Sequence, residues 1–277
     1  AAHPGDMSDP ARLLDAYLER IGYDGSREPT LATLSAVHRC HAETIPFENI
    51  DVLLGRPIDL SLERIAAKLV AGRRGGYCFE QNGLLAAMLR GLGFSVTPLL
   101  ARVRWMVPAG VDTPQTHMAL RVEIEGRPWL ADAGFGGSGL VTPLALDSRE
   151  EQATRYEPRR LVPHGRNLLQ QIRIGATWTD VYVLHLDEAY PIDFEVANWF
   201  TSAHPASRFR QNLLVARADG ERRLALLNRD FTVRLVDGSA NKRTLASPQE
   251  LHHVLATEFH LELPPDLTLA CPGLSWS

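Results

Sequence analysis

Cys78, His117 and Asp132 are the residues of this chain whose types and order could move an acyl group. A thiol attacks as its thiolate, so it needs a base beside it, and the base needs a group that holds its ring. Cys78 sits in the stretch Arg73-Arg74-Gly75-Gly76-Tyr77-Cys78-Phe79-Glu80-Gln81-Asn82. The paired glycines predict a tight turn that exposes backbone. Leu84, Leu85, Met88 and Leu89 then recur at helical spacing, with Gly91 as the stop. Cys78 is therefore expected in the first turn of a helix. Free N–H groups and the positive end of the helix dipole favour an anion there, and Arg73 and Arg74 would add to that. A lone cysteine is most often a buried, inert hydrophobe. Glycines, arginines and a helix start in one stretch argue against that reading.

His117 opens a strand in which Met118, Leu120, Val122 and Ile124 face one way and His117, Ala119, Arg121 and Glu123 the other. On the face opposite the large apolar residues, an imidazole could look into a cleft. Asp132 ends a short strand from Trp129, just before Gly134-Phe135-Gly136-Gly137. Two short adjacent strands can set His117 and Asp132 side by side. Taken singly, His117 reads as an ordinary polar residue and Asp132 as a turn former, and triad order is not specific to one family. These residues alone describe a thiol-dependent acyl-transfer enzyme. Proteases, amidases and transglutaminase-like enzymes use the same constellation.

The elements that must position these groups fall into blocks. Asp9-Pro10 caps a first helix with Leu13, Leu14, Tyr17, Leu18 and Ile21 on one face and Gly22 at its end. A second helix begins at Thr30. His38, His41 and Glu43 lie on it and read as helix-surface polar groups, since a zinc site needs more converging ligands. Ile45 to Ile50 reads as a loop whose Phe47 anchors the core. Ser61 caps a third helix, with Leu62, Ile65 and Leu69 inward. Phe94 to Trp105, His117 to Ile124, Trp129 to Asp132, Gln170 to Ile174 and Trp178 to Leu186 read as strands of a small antiparallel barrel or strongly curved sheet. Phe209 to Arg217 and Arg222 to Asn228 flank an Asp219-Gly220 turn, and a third strand runs from Phe231 to Val236. Ser247-Pro248-Gln249-Glu250 opens the last helix. The fold class expected is α+β, with units at 1–92 (helical, carrying Cys78), 93–190 (barrel, carrying His117 and Asp132), 191–207 (connecting) and 208–277 (α/β lid).

The chain has 277 residues, 45% of them hydrophobic, and a formal net charge of −4. It can bury a sizeable core, and it has no basic stripe of the kind that binds nucleic acid. No apolar run approaches the ~20 residues of a membrane span. Residues 1–9 lack the apolar run of a secretory leader, and Met7 reads as a natural start preceded by Ala1 to Asp6. Cys40, Cys78 and Cys271 are odd in number and far apart, which fits a reducing cytoplasm better than a disulfide framework.

The stretch Arg74-Gly75-Gly76-Tyr77-Cys78-Phe79-Glu80-Gln81-Asn82 resembles the nucleophile motif of arylamine N-acetyltransferases. Thr116-His117 and Asp132-Ala133-Gly134-Phe135-Gly136 resemble that family's histidine and aspartate motifs. Pro46-Phe47-Glu48-Asn49-Ile50 and Ser202-Ala203-His204-Pro205 resemble further family segments. The resemblance implies a helical bundle, a β-barrel and an α/β lid around a cysteine-protease-like core. It implies xenobiotic chemistry in which acetyl-CoA, as co-substrate, acetylates Cys78. An arylamine, arylhydrazine or N-arylhydroxylamine then takes the acetyl group. It further implies that Phe47, Val103, Phe135 and Phe209 line the acceptor pocket, and that Trp105, Thr116, Gly134 and Gly136, with Phe209, contact CoA. Read without the resemblance, those large aromatics would be core. No metal, membrane or nucleic acid is implied; the partners are small molecules, and the chain is a monomer or homodimer.

Overall fold

The structure, a computed structural model, describes residues 9–276. The readings of Met7 and of residues 1–8 lie outside the described residues. Helix α1 (Pro10–Ile21) is capped by the Asp9 carboxylate, which accepts from Ala11 N at 3.1 Å, and is closed by Gly22. Helix α2 (Leu31–Thr44) follows, with Thr30 as its cap. Next come a two-residue strand β1 (Phe47–Glu48), the short helix α3 (Ile50–Leu53) and helix α4 (Leu62–Ala66), which loosens into a π turn over Ala67–Ala71. Helix α5 (Cys78–Gly91) ends this run.

The central sheet is built from β2 (Ser95–Val103), β3 (Gln115–Ile124), β4 (Arg127–Ala131), β5 (Leu144–Ala145), β6 (Arg159–His164), β7 (Asn167–Ile174) and β8 (Thr177–Leu184). It is antiparallel throughout, in the order β5-β4-β3-β2-β8-β7-β6. The backbone ladder leaves β5 and β6 as edges, and one residue spans the seam between them. The Gln152 side chain accepts from Ala145 N at 2.7 Å and donates to Ala145 O at 3.0 Å. Its backbone pairs with Arg159 at 2.7 and 2.9 Å. A curled sheet thus closes without exposing a bare edge there.

Helix α6 (Pro191–Ala203) and the short α7 (Arg208–Gln211) lead to β9 (Leu214–Ala218), β10 (Arg222–Leu227), β11 (Asp230–Leu235) and β12 (Ala240–Thr244), with α8 (Pro248–Phe259) last. These strands and β1 form a second antiparallel sheet, ordered β1-β9-β10-β11-β12. The expected loop at 45–50 is therefore partly a strand, pairing Phe47 with Ala216 and Glu48 with Val215. Phe209 falls in α7 rather than in a strand, because the chain does not extend until Leu214. Leu62, expected inward, is 40% exposed, whereas Ile65 and Leu69 are buried.

The cores explain why β3 matters. Met118, Leu120, Val122 and Ile124 pack with the helices, in one cluster with Leu84, Leu85 and Leu89 of α5. Ala119, on the opposite face, packs inside the curled sheet with Leu99, Leu130 and Tyr182. From His117 to Leu120 the strand is buried on both faces, and His117, expected to face a cleft, borders a cavity while being only 3% exposed. Burying one such Leu is worth about 2 kcal/mol, and this doubly packed strand is a rigid mount for the histidine.

Candidate active site

The turn before Cys78 is held by close contacts. A Cβ on Gly75 would collide with the carbonyl of Pro46, and one on Gly76 with the Glu80 carboxylate. The glycines are therefore required for approach rather than for a left-handed backbone; in this turn it is Arg73 that has the positive φ, 51°. The Glu80 carboxylate accepts from Tyr77 N at 3.0 Å and so satisfies a donor at the helix start. Arg74 does not face Cys78, as its sequence position suggested. Its guanidinium binds Glu48 at 3.0 and 2.7 Å and reaches Asp51 at 3.4 Å. Arg73 offers its carbonyl to Arg20 at 3.3 Å. What remains at the cysteine is the first turn of α5, with the thiol 3.6 Å from Thr116 O.

His117 Nε2 lies 2.7 Å from Asp132 Oδ2, with both side chains buried. The other ring nitrogen is left for the Cys78 thiol. Burial opposes a charge on the imidazole, but the charge and hydrogen bond of Asp132, together with Cys78, raise its pKa to about 10. Asp132 is lowered from its ordinary value: burial opposes this, and His117, Asn82 and Gly134 N outweigh it. The Asp132 Oδ1 atom accepts from Asn82 Nδ2 and from Gly134 N, both at 2.9 Å. Asn82 also donates to Met118 O at 2.7 Å and accepts from Ala133 N at 3.0 Å. One amide on α5 thereby registers the histidine strand against the aspartate loop. Gly134 must be glycine, because a Cβ there would lie 2.7 Å from Cys78 Cα.

His38 and His41, expected on the helix surface, are fully buried and act as hydrogen-bonding supports. Burial pushes both down to about 4, so they are neutral at pH 7. His38 Nε2 accepts from Asp132 N at 3.0 Å. The Tyr17 hydroxyl donates to His41 Nδ1 at 2.8 Å, and His41 Nε2 donates to Gln81 Oε1 at 2.7 Å. Gln81 then donates to Pro46 O at 2.8 Å and to Gly76 O at 3.3 Å. A chain of hydrogen bonds thus runs from α1 through α2 and α5 to the nucleophile turn.

Cys78 and His117 lie at a cavity of about 580 Å³ between the curled sheet, α7 and the second sheet. Phe47, Val103, Phe135 and Phe209 all line it, as do Trp105, Thr116, Gly134 and Gly136. Phe209 stands 6.1 Å from Phe47 and edge-on to Tyr77 at 5.4 Å. Phe135 is edge-on to His117 at 5.2 Å, and Tyr182 packs against both, 5.0 Å from the imidazole and 5.5 Å from Phe135. A larger groove of about 1040 Å³ lies between α5 and α6 and includes none of Cys78, His117 or Asp132. Among the described residues no group of His, Cys, Asp and Glu could hold a metal ion, and no helix is long and apolar enough to cross a membrane.

Sequence reasoning missed Asn82, Gln81, His38 and Tyr182. For Asn82 a signal existed: four residues after Cys78 on one helix, it must share the cysteine's face. For His38 and Tyr182 there was none, since their contacts join distant elements.

A family model described as N-acetyltransferase matches residues 30–268. An arylamine N-acetyltransferase of Mycolicibacterium smegmatis is 43% identical over 224 residues, covering 79% of this chain and 82% of that protein. One from Escherichia coli K12 is 39% identical, covering 90% and 89%. Among solved structures, the Mycobacterium marinum arylamine N-acetyltransferase in complex with CoA superposes with a TM-score of 0.87 at 37% identity, over 89% of this chain and 92% of that one.

Proposed function

The chain belongs to the arylamine N-acetyltransferase family, and from that premise we propose how its own residues carry an acetyl group from acetyl-CoA to an arylamine nitrogen. The observation that carries the reading is the imidazole of His117 held by Asp132 at 2.7 Å beside the cavity that Cys78 shares. Cys78 is the nucleophile. Its Sγ bonds to the thioester carbonyl carbon, the bond from that carbon to the CoA sulfur breaks, and the imidazolium of His117 supplies a proton to the departing thiolate. Backbone N–H groups near Cys78 would hold the oxyanion. In the second half, the amine nitrogen bonds to the acetyl carbon, His117 takes its proton, and the Cys78 thiolate is released. Asp132 touches no substrate; it is a positioning residue that keeps the ring oriented and charged.

Phe47, Val103, Phe135 and Phe209 are the apolar walls for a flat acceptor, and Trp105, Thr116, Gly134 and Gly136 border the donor's path. Arylhydrazines and the oxygen of N-arylhydroxylamines fit the same chemistry, because each offers a neutral nucleophile at pH 7. The free cysteines suit the cytoplasm, and the chain acts as a monomer or homodimer, which light scattering distinguishes. Intact mass after brief incubation with acetyl-CoA alone tests the core of the reading. One acetyl group on the wild type and none on Cys78→Ala, discharged by an anisidine, is expected. Free CoA release with no arylamine product would instead identify a hydrolase built on the same triad.

A further inference from the structure

We propose that Arg208 and Arg234, at the cavity's outer wall, bind the phosphate groups of the acyl donor; this rests on the acetyl-CoA reading above. The second sheet turns one face to the cavity. Ala216 pairs with Ala225, Ala225 with Thr232, and Arg223 with Arg234, so these side chains share that face. At its centre the face is small. Gly137, from the loop after Asp132, packs so closely that a Cβ on it would stand 3.4 Å from the Ala225 Cβ. Such a slot suits the slender, neutral arm of a CoA thioester.

Apart from His117 beside Cys78, the charged side chains around this cavity are, among the described residues, all arginines. Arg208, Arg223 and Arg234 line it, and no Asp or Glu does, although the chain carries a net −4. Arg223 is committed: Glu157 takes it at 3.1, 3.1 and 3.0 Å. The guanidinium groups of Arg208 and Arg234 make no hydrogen bond or ion pair among the described residues, so their charge is uncancelled. A cleft lined by one sign of charge concentrates anions of the other sign, and the guanidinium fork matches phosphate oxygens in pairs. The donor's acetyl end must reach Cys78, which directs its phosphorylated end away from the floor and toward these arginines.

The test compares kcat/KM for acetylation of Cys78 by acetyl-CoA and by S-acetyl-pantetheine, which ends before the phosphates. Wild type should prefer acetyl-CoA, and added salt should erode that preference. In Arg208→Glu/Arg234→Glu the ratio should fall by about tenfold or more, the scale of losing charged hydrogen bonds. A ratio that is the same in wild type and variant, or a wild-type ratio near one at low salt, overturns the proposal. Should the variant fail to fold, the wild-type salt series decides alone: equal salt dependence for the two donors rejects phosphate binding here. A carboxylate on the acceptor is the other anion these arginines could serve. If the variant loses 4-aminobenzoate against 4-anisidine turnover while the donor ratio holds, that assignment replaces this one. Failure of both donors to acetylate wild-type Cys78 rejects the acetyl-CoA reading itself, a result distinct from all of these.

Discussion

Asp132 and His117 form one buried ion pair; Glu48, Asp51 and Glu80 meet Arg74 and Lys68 in a second cluster. Both clusters abut the first turn of α5, and both are largely removed from water. They differ in what they open onto. His117 borders the cavity with Cys78, whereas no member of the second cluster does. They differ also in balance. Asp132 receives hydrogen bonds from Asn82, Gly134 N and His117 and keeps its charge. The second cluster sets carboxylates of Glu48, Asp51 and Glu80 against the cations of Arg74 and Lys68, with Arg56 joining from the surface. Buried charge by itself therefore does not mark chemistry. Access to a cavity and a complete set of donors around the anion do.

If the contrast is real, substitutions in the first cluster cost rate and substitutions in the second cost stability. The largest effect belongs to Cys78→Ser. Acetyl transfer should fall by about 10,000-fold or more while the thermal midpoint stays near wild type, read by anisidine turnover and calorimetry. Retained turnover would remove Cys78 as nucleophile. Asp132→Asn should come next, with a loss of about 100-fold to 10,000-fold in kcat/KM, since the amide cannot hold an imidazolium. A near-normal rate would put Asp132 outside the mechanism and erase the distinction between the clusters.

How far this was readable from sequence follows the same line. The nucleophile turn, the β3 alternation and the caps of α1 and α8 are local patterns, and they placed Cys78 and His117 on the right elements. Gly75 and Gly76 stood out, although the physical reason lies in Pro46 and Glu80, which no local rule connects to them. Arg74 was read as an electrostatic aid to Cys78 because its neighbour in sequence is visible and its partner Glu48, far away in sequence, is not. The burial of His38 and His41 was hidden for the same reason: they look like polar helix residues until Asp132 and Gln81 arrive from elsewhere. Strand β1 escaped notice because a two-residue strand has no period, and only its pairing with β9 makes it one. The seam residue Gln152 acts through a side chain that stands in for a strand, a role without any sequence pattern.

Arg74→Met sharpens the stability half of the comparison. It strands the Glu48 carboxylate, whose side chain is fully buried, without its partner. The cost should be about 3–5 kcal/mol in urea unfolding, the usual penalty for breaking a buried pair. Arg74→Met/Glu48→Gln should recover part of that, because no uncompensated charge remains. The folded fraction of either variant should still take an acetyl group on Cys78. A variant that is stable yet cannot be acetylated would show that the second cluster also serves the chemistry.

The smallest effect is a pair of pH dependences in separate windows. Burial, reinforced by Glu48 and opposed by Lys68, pushes Glu80 up to about 7 from an ordinary 4.5. Between those values the unfolded chain has released this proton and the folded chain retains it. Stability attributable to Glu80 therefore falls as pH rises from 4.5 toward 7, with a slope of up to about 1.4 kcal/mol per pH unit. The Glu80→Gln variant should lack that slope, so the two unfolding curves converge or cross as pH rises through this range. His117 has the same sign in a higher window. Its pKa is raised from 6.5 to about 10, so its contribution is full below 6.5 and drains away as pH climbs through 10. Asp132→Asn should abolish that loss above neutrality; burial then holds the His117 pKa below 6.5, so the variant gains stability as pH rises through the acid range. Were Glu80→Gln to alter the loss above neutrality as well, the clusters would be one coupled system, and the division between a holding cluster and a reacting one would have to be abandoned.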